Sequence, residues 1–254
     1  MRTLLLSWAG LLMAFMIAPI ALVVLFSFSS NPLISFPIGD LTFDWYRKLF
    51  ATKAFQDALS NSLIIAGSVA LTSAVVGTSA AIGIARMPPR AMAASLALVC
   101  LPIMFPGLMT GIVLLSFYVS IGMKLSLLTV ILSHLVVTQP FVILVVYARM
   151  STFDFTMLDS ARDLGATPFA AFRTVTFPVI SSAVIGATLL AAAYSIDDFV
   201  VTFFTIGSGN TLPTLVWGMI RTTLDPRVNA IATILILVTI ASTVLAIRLS
   251  RYRG

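Results

Sequence analysis

The sequence predicts an all-α, polytopic membrane protein: six transmembrane helices in a single domain over residues 1–254, with both termini cytoplasmic. Three observations lead there. The chain is 59% hydrophobic and only 9% charged, against about 45–50% and about 25% for an average soluble domain. Six separate windows are each long and apolar enough to cross a bilayer, which takes about 20 residues. Apart from Asp197 and Asp198, the charged residues fall between those windows rather than inside them.

The first window is Ser7–Phe28. Met1-Arg2-Thr3 before an apolar run superficially resembles a signal peptide, but the run from Leu4 to Phe28 exceeds the about 7–15 residues of a signal core and no Ala-x-Ala site follows. It reads as a retained first helix. A long polar connection from Asn31 to Asp57 leads to the second window, Leu59–Ala85. Its small residues, such as Ala66-Gly67-Ser68 and Thr72-Ser73-Ala74, let helices approach closely in lipid. Met87-Pro88-Pro89-Arg90 is a tight turn into the third window, Ala91–Val119. There Pro102, Pro106, Gly107 and Gly111 signal either an interrupted helix at a translocation site or a kink serving packing. Cys100, the lone cysteine, excludes an intrachain disulfide and reads as a small core residue. A short link, Gly122 to Ser126, precedes the fourth window, Leu127–Ala148. Its His134 has no second His, Cys or acid in the same helix, so the reading is a helix–helix hydrogen bond rather than a metal site. A long polar loop, Arg149 to Pro178, precedes the fifth window, Ser181–Phe204. Thr205 to Arg227 then leads to the sixth, Val228–Ile247.

Orientation follows from the basic residues that flank the spans. With the N-terminus inside, the cytoplasmic side carries Arg2, Arg86, Arg90, Arg149, Arg162, Arg173, Arg248, Arg251 and Arg253. The outer side carries Arg47, Lys48, Lys53, Lys124, Arg221 and Arg227. The net charge of +6 is thus spread over membrane flanks, where it meets lipid headgroups, and forms no stripe for nucleic acid. The two halves have unlike loop lengths, so the chain lacks the internal repeat of many secondary transporters.

Residues 149–178 are the most informative stretch. Asp154 or Thr156 can cap a helix running to about Leu164, and Gly165 ends it as the residue past the C-cap. Thr167-Pro168 restarts a second helix with Pro in its first turn, and Pro178 marks where the next span begins. Phe153, Phe155, Met157 and Leu158 give the loop an apolar surface for a partner. Within it stand Asp159-Ser160-Ala161, three residues, Gly165, nine residues, then Val175-Thr176-Phe177-Pro178.

That spacing resembles the cytoplasmic loop of ABC importer permeases: Glu-Ala-Ala, three residues, Gly, nine residues, Ile-x-Leu-Pro. The departures here are Asp for Glu, Ser for Ala, Val for Ile and Phe for Leu. Ser35–Tyr46, the FPGLMTGIVLL run from Phe105, Ile196–Thr205 and Asp225–Leu235 are similar to the second permease subunit of spermidine/putrescine-type importers. The resemblance implies the type I importer fold and a bacterial inner-membrane location. It implies that Asp159, Ser160, Ala161, Gly165 and Pro178 belong to a coupling helix seated on an ATPase subunit. It also implies the partners: a second homologous permease, an ATPase dimer holding ATP and Mg, and a periplasmic solute-binding protein. The cargo would be a polyamine such as putrescine or spermidine. Related permeases carry aminobutyrate, phosphonates or other opine-like compounds, and those remain alternatives. Where some spermidine permeases have an acid after the equivalent of Pro106, this chain has Gly107.

Asp197 and Asp198 stand in the outer half of the fifth window, where a carboxylate facing lipid costs several kcal/mol. On a continuous helix Tyr194 shares their face and Thr202 lies one turn beyond Asp198. A stripe of hydroxyl, carboxylate and hydroxyl suits a cationic amine, with the aromatic ring adding cation–π attraction. Pairing with an Arg on the partner permease, or capping of the helix, are the other roles open to the pair. No catalytic constellation is present. There is no Gly-x-Ser-x-Gly elbow, no His-Glu-x-x-His, and adjacent acids splay by about 100° on a helix, unlike a dyad sharing a proton. With no GxxxxGK[ST] loop either, the chain binds no cofactor of its own and leaves ATP to its partners. A stand-alone secondary transporter is the competing class, and it leaves the spaced loop pattern to chance.

Overall fold

The computed structural model describes residues 2–32, 35–222 and 225–251. Arg253, one of the basic residues assigned to the inner flank, lies outside them. The described residues are overwhelmingly helical and contain no strand, only a single antiparallel bridge between Ser29 and Leu41.

Helix α1 (Arg2–Phe26) presents its apolar side chains outward, uncovered by the rest of the chain, as a helix solvated by lipid or by a neighbouring subunit does. The long connection after it holds a short amphipathic helix, α2 (Asp44–Ala51), which the sequence reading passes over as loop. Helix α3 (Lys53–Ile84) begins six residues ahead of the expected second span and runs 32 residues, about 48 Å at 1.5 Å per residue. It therefore projects beyond a hydrocarbon core of about 30 Å.

The third window is two helices. α4 (Pro89–Cys100) continues through a 3₁₀ turn (Leu101–Met104), and α5 (Gly107–Ser120) leaves at 97° to it. Pro102 and Pro106 explain the break. Neither can donate a backbone hydrogen bond, and Pro106 ends up extended as the N-cap of α5. The backbone is thus broken at the residues that signal it, and Gly111 on α5 packs against Phe204.

Helix α6 (Leu127–Met150) carries a reciprocal capping box: the Ser126 side chain accepts the Thr129 N–H, and the Thr129 hydroxyl accepts the Ser126 N–H at 2.8 Å. After it come α7 (Thr156–Asp163) and α8 (Pro168–Ala171). α8 does not stand apart from the fifth span as expected. It runs on through a π turn (Phe172–Thr176) into α9 (Phe177–Asp197), in one helical rod over residues 168–197. Pro178 supplies the reason: its ring crowds the carbonyl four residues back and it has no N–H. The wide turn, closed by Phe177 N–H donating to the Phe172 carbonyl, relieves both.

The rod stops at Asp198, whose backbone is extended (ψ 113°), and a separate helix, α10 (Val200–Thr205), follows. The expected straight fifth span, Ser181–Phe204, is therefore broken toward its C-terminal end. α11 (Leu212–Thr222) occupies the connection before α12 (Arg227–Arg251). Among the described residues, five helices are thus long and apolar enough to cross a membrane, and six if the bent α4–α5 pair counts as one span.

The core lies where α3, α6 and α9 meet. Ala81, Val142, Val146, Met150, Ile180 and Ala187 are buried there together. Small residues make the approach possible: a Cβ added at Gly77 would come within 2.6 Å of Val142 Cγ1. A side chain there would force the two helices apart.

Candidate functional site

Two places in the chain concentrate chemistry: the loop after α6, and the break between α9 and α10.

The loop is built from its caps. Asp154 Oδ1 accepts the Thr156 N–H at 2.9 Å and the Thr156 hydroxyl at 2.8 Å, fixing the start of α7. The Thr156 hydroxyl and then its amide hold the Asp154 carboxyl below the ordinary Asp range, against a small opposing effect of burial. At the other end, Ala166 N–H reaches back to the Ala161 carbonyl (3.0 Å) and Gly165 N–H to the Arg162 carbonyl (2.8 Å). This is a Schellman motif, and it requires the left-handed backbone that Gly165 adopts at φ +84°. Thr167 then caps α8 by accepting Ala170 N–H. The result is a short helix, a tight turn and a second helix. Asp159, Ser160 and Gly165 face outward, with Asp159 close only to Arg162 (3.8 Å) on the surface. Ala161 is half-buried and Pro178 lies exposed just past the π turn.

The expected apolar surface of this loop needs correction. Phe153 and Leu158 are buried and Phe155 half-buried, because the loop folds back onto the ends of α6 and α9 and its aromatics join that core. The Arg86 guanidinium stacks over the Phe155 ring at 5.8 Å. Met157 stays exposed as expected. The apolar groups left in the open beside it are Leu164 (90% exposed) and Phe169 (72%), which sequence reasoning missed. Their signal was available in the helix register: both fall on the side of their helices away from Leu158 and Ala171, which are buried.

At the second place, the break separates two neighbouring acids. Asp197 ends α9 with its side chain exposed, whereas the Asp198 side chain is only 8% exposed and points inward. Asp198 Oδ2 accepts the Thr202 N–H at 3.0 Å and lies 3.4 Å from the Thr202 hydroxyl. His134 Nε2, arriving from α6, is 2.9 Å from Thr202 Oγ1 and 3.3 Å from Asp198 Oδ2, while His134 Nδ1 is 2.8 Å from Ser195 Oγ. One proton arrangement satisfies every contact. The Ser195 hydroxyl donates to Nδ1, Nε2–H is shared between Thr202 Oγ1 and Asp198 Oδ2, and the Thr202 hydroxyl donates to Asp198. His134, Ser195 and Thr202 are all buried. Removing one partner leaves a buried polar group unsatisfied, at a cost of about 1–3 kcal/mol and more where that group is the carboxylate.

The expectation for His134 therefore holds, and its partners are on another span. Of the four residues expected to line a solute path, three come together. Tyr194, Asp197 and Asp198 border an open cleft of about 460 Å³ with Phe199, Val200 and Thr239. Thr202 does not line it. The helix break turns its hydroxyl into the interior, so no continuous stripe runs from Tyr194 to Thr202. Sequence reasoning missed Ser195 and the His134–Asp198 contact altogether.

The sequence profile of binding-protein-dependent transport system inner membrane components matches residues 73–252, a stretch that contains both places. The chain belongs to that family. This permease is accordingly a transport subunit and not an enzyme. It is 33% identical over 230 residues to the putrescine transport system permease protein PotI of Escherichia coli, covering 87% of this chain and 82% of the relative. It is 30% identical to the spermidine/putrescine transport system permease protein PotC of Haemophilus influenzae, covering 94% and 93%. Among solved structures, the permease superposes on a chain of a bacterial alginate ABC transporter at TM-score 0.72 and 15% identity, covering 99% and 93%. It superposes on one of the methionine ABC transporter MetNI at TM-score 0.66 and 16% identity, covering 79% and 96%. These two likenesses establish the fold.

Proposed function

We propose that this permease is one membrane-spanning half of an ATP-driven importer for a small cationic amine of the putrescine or spermidine class. The observation that carries this reading is the cleft at the α9–α10 break, where carboxylates and an aromatic ring meet in the outer part of a span. An ammonium leaving water needs charge-assisted hydrogen bonds, and the Tyr194 ring adds cation–π attraction. The names of the relatives, putrescine and spermidine/putrescine permeases, agree with that chemistry.

The rest of the machine follows from the family's dependence on a binding protein. With both termini cytoplasmic, residues 149–178 face the cytoplasm, and Leu164, Phe169 and Met157 are the apolar groups that an ATPase subunit would cover. Asp159 and Ser160 present polar contacts beside them. The ATPase dimer binds ATP and Mg, and its closure moves the loop. A second, homologous permease completes the pathway. On the outer side a solute-binding protein delivers cargo near α11, where Trp217 and Arg221 are exposed.

The test is uptake of labelled putrescine and spermidine by cells that express the whole system in a background lacking other polyamine uptake. Accumulation that stops when the ATPase is inactivated, and when Asp197 and Asp198 are both changed to Asn, supports the reading. If the wild-type system ignores both amines, the cationic cargo is refuted and the search turns to aminobutyrate-like or anionic solutes.

A further inference from the structure

We infer that the paired acids have separate jobs: Asp197 meets the cargo, and His134 is the positioning residue that brings this about by holding Asp198 inside. This rests on the amine reading of the cleft. The sequence presents Asp197 and Asp198 as equivalent neighbours, and on a straight helix both would share the Tyr194 face. The structure makes them different. Asp198 has every inward contact: the Thr202 amide, the Thr202 hydroxyl, and His134 Nε2 at 3.3 Å. Both border the cleft, but Asp197 has none of these contacts and stands exposed there.

The chain of contacts explains why the helix breaks where it does. With α9 continuing as a regular helix, the Thr202 N–H would be taken by the Asp198 backbone carbonyl four residues before it, and the Asp198 carboxylate could not have it. Extending the backbone at Asp198 lets its carboxylate reach Thr202 and the imidazole together. His134 is itself fixed from the far side by Ser195, only three residues before Asp198 on the same rod. The imidazole thus grips the rod on one side of the break and α10 on the other, through side chains that have no other task in view. A carboxylate committed to these donors is a poor receptor for a passing ammonium. The one beside it, solvated and unshielded, is a good one.

The test uses the assembled permease–ATPase complex with two readouts, thermal melting and labelled-putrescine uptake per assembled complex. The variants are His134→Leu, His134→Gln, Asp198→Asn, Asp197→Asn, and a double variant that combines His134→Leu with Asp198→Asn. The lock predicts that His134→Leu and Asp198→Asn each lower the melting temperature by about 5 °C or more, with the double variant no lower than the worse single one. His134→Gln, whose amide can still donate, restores most of the melting temperature and keeps uptake within about threefold, whereas His134→Leu cuts uptake about tenfold or more. Asp197→Asn leaves melting where it was and cuts uptake about tenfold or more.

Additive melting losses in the double variant overturn the lock, whatever the cargo is. Full uptake in Asp197→Asn, with uptake abolished at unchanged melting in Asp198→Asn, overturns the division of roles while leaving the amine reading in place. A wild-type complex that ignores putrescine and spermidine refutes that reading alone, and the melting cycle still decides the lock. Should His134→Leu fail to assemble, the contrast between the two acid variants carries the test by itself.

Discussion

Gly165→Ala separates backbone conformation from every other effect in the loop. The φ of +84° is a region that L residues enter at a cost of about 1–2 kcal/mol, and a Cβ built at Gly165 meets nothing within 4 Å. No clash, lost contact or altered charge therefore accompanies the change. The whole cost falls on the turn whose two backbone hydrogen bonds hold α7 and α8 in their relative orientation. By the tenfold-per-1.4 kcal/mol relation, that cost is a fall of about 5- to 30-fold in the population of the correctly formed turn relative to alternatives. If the ATPase seats on this loop, its affinity for the permease falls by the same factor. The assay is the equilibrium affinity of purified ATPase for permease in nanodiscs, with transport-coupled hydrolysis as a second readout. Gly165→Asn should fall between wild type and Ala, because Asn tolerates the left-handed region better. Gly83→Ala is the control: it lies within α3, also with nothing within 4 Å, and should be neutral or slightly stabilising. An affinity for Gly165→Ala equal to wild type, or equal losses for Ala and Asn, would refute the reasoning.

Leu164→Ser and Phe169→Ser should each weaken ATPase association about tenfold or more without lowering the melting temperature of the permease, since both are exposed in the isolated chain. Phe153→Ser should do the reverse, lowering the melting temperature first, because that ring belongs to the core. Gly77→Val should destabilise the bundle by about 1–3 kcal/mol through its clash with Val142, and Val142→Ala should recover part of the loss in a double-variant melt. The lowered pKa of Asp154 means that its cap is complete above the unfolded Asp value and lost only as pH falls through the lower folded value, below about pH 4. ATPase association should therefore show no pH dependence from this cap between about pH 5 and 8, and a pH dependence that Asp154→Asn alters in that window would count against it.

The membrane character and the number of spans were legible because they depend on totals and window lengths that no local detail can reverse. The loop was equally legible in its caps: Asp154, Gly165 and Thr167-Pro168 act within a few residues of themselves, and the structure uses each as its chemistry suggests. What failed was the assumption that an apolar group in a polar loop faces a partner. Phe153 and Leu158 find the helix ends of their own chain instead, a contact decided by tertiary packing that no short pattern encodes. The missed amphipathic helices α2 and α11 have a related cause, since each is too short to register beside spans at least twice its length.

The break after Asp197 is the more instructive case. Neither proline nor glycine stands at the bend, and the one local signal for it is the capping role open to Asp197 and Asp198. The deciding group is His134, more than sixty residues earlier in the chain, and its own helix carries no acid to hint at such a contact. Each of these two ionisable residues, in separate spans, supplies what the other lacks. A buried imidazole needs an acceptor, and a carboxylate at membrane depth needs donors. Taken jointly, those demands make the only histidine and the only acids inside the spans natural partners. The break at Asp198 serves that pairing, because it frees the Thr202 amide for the same carboxylate while Asp197 stays exposed at the cleft.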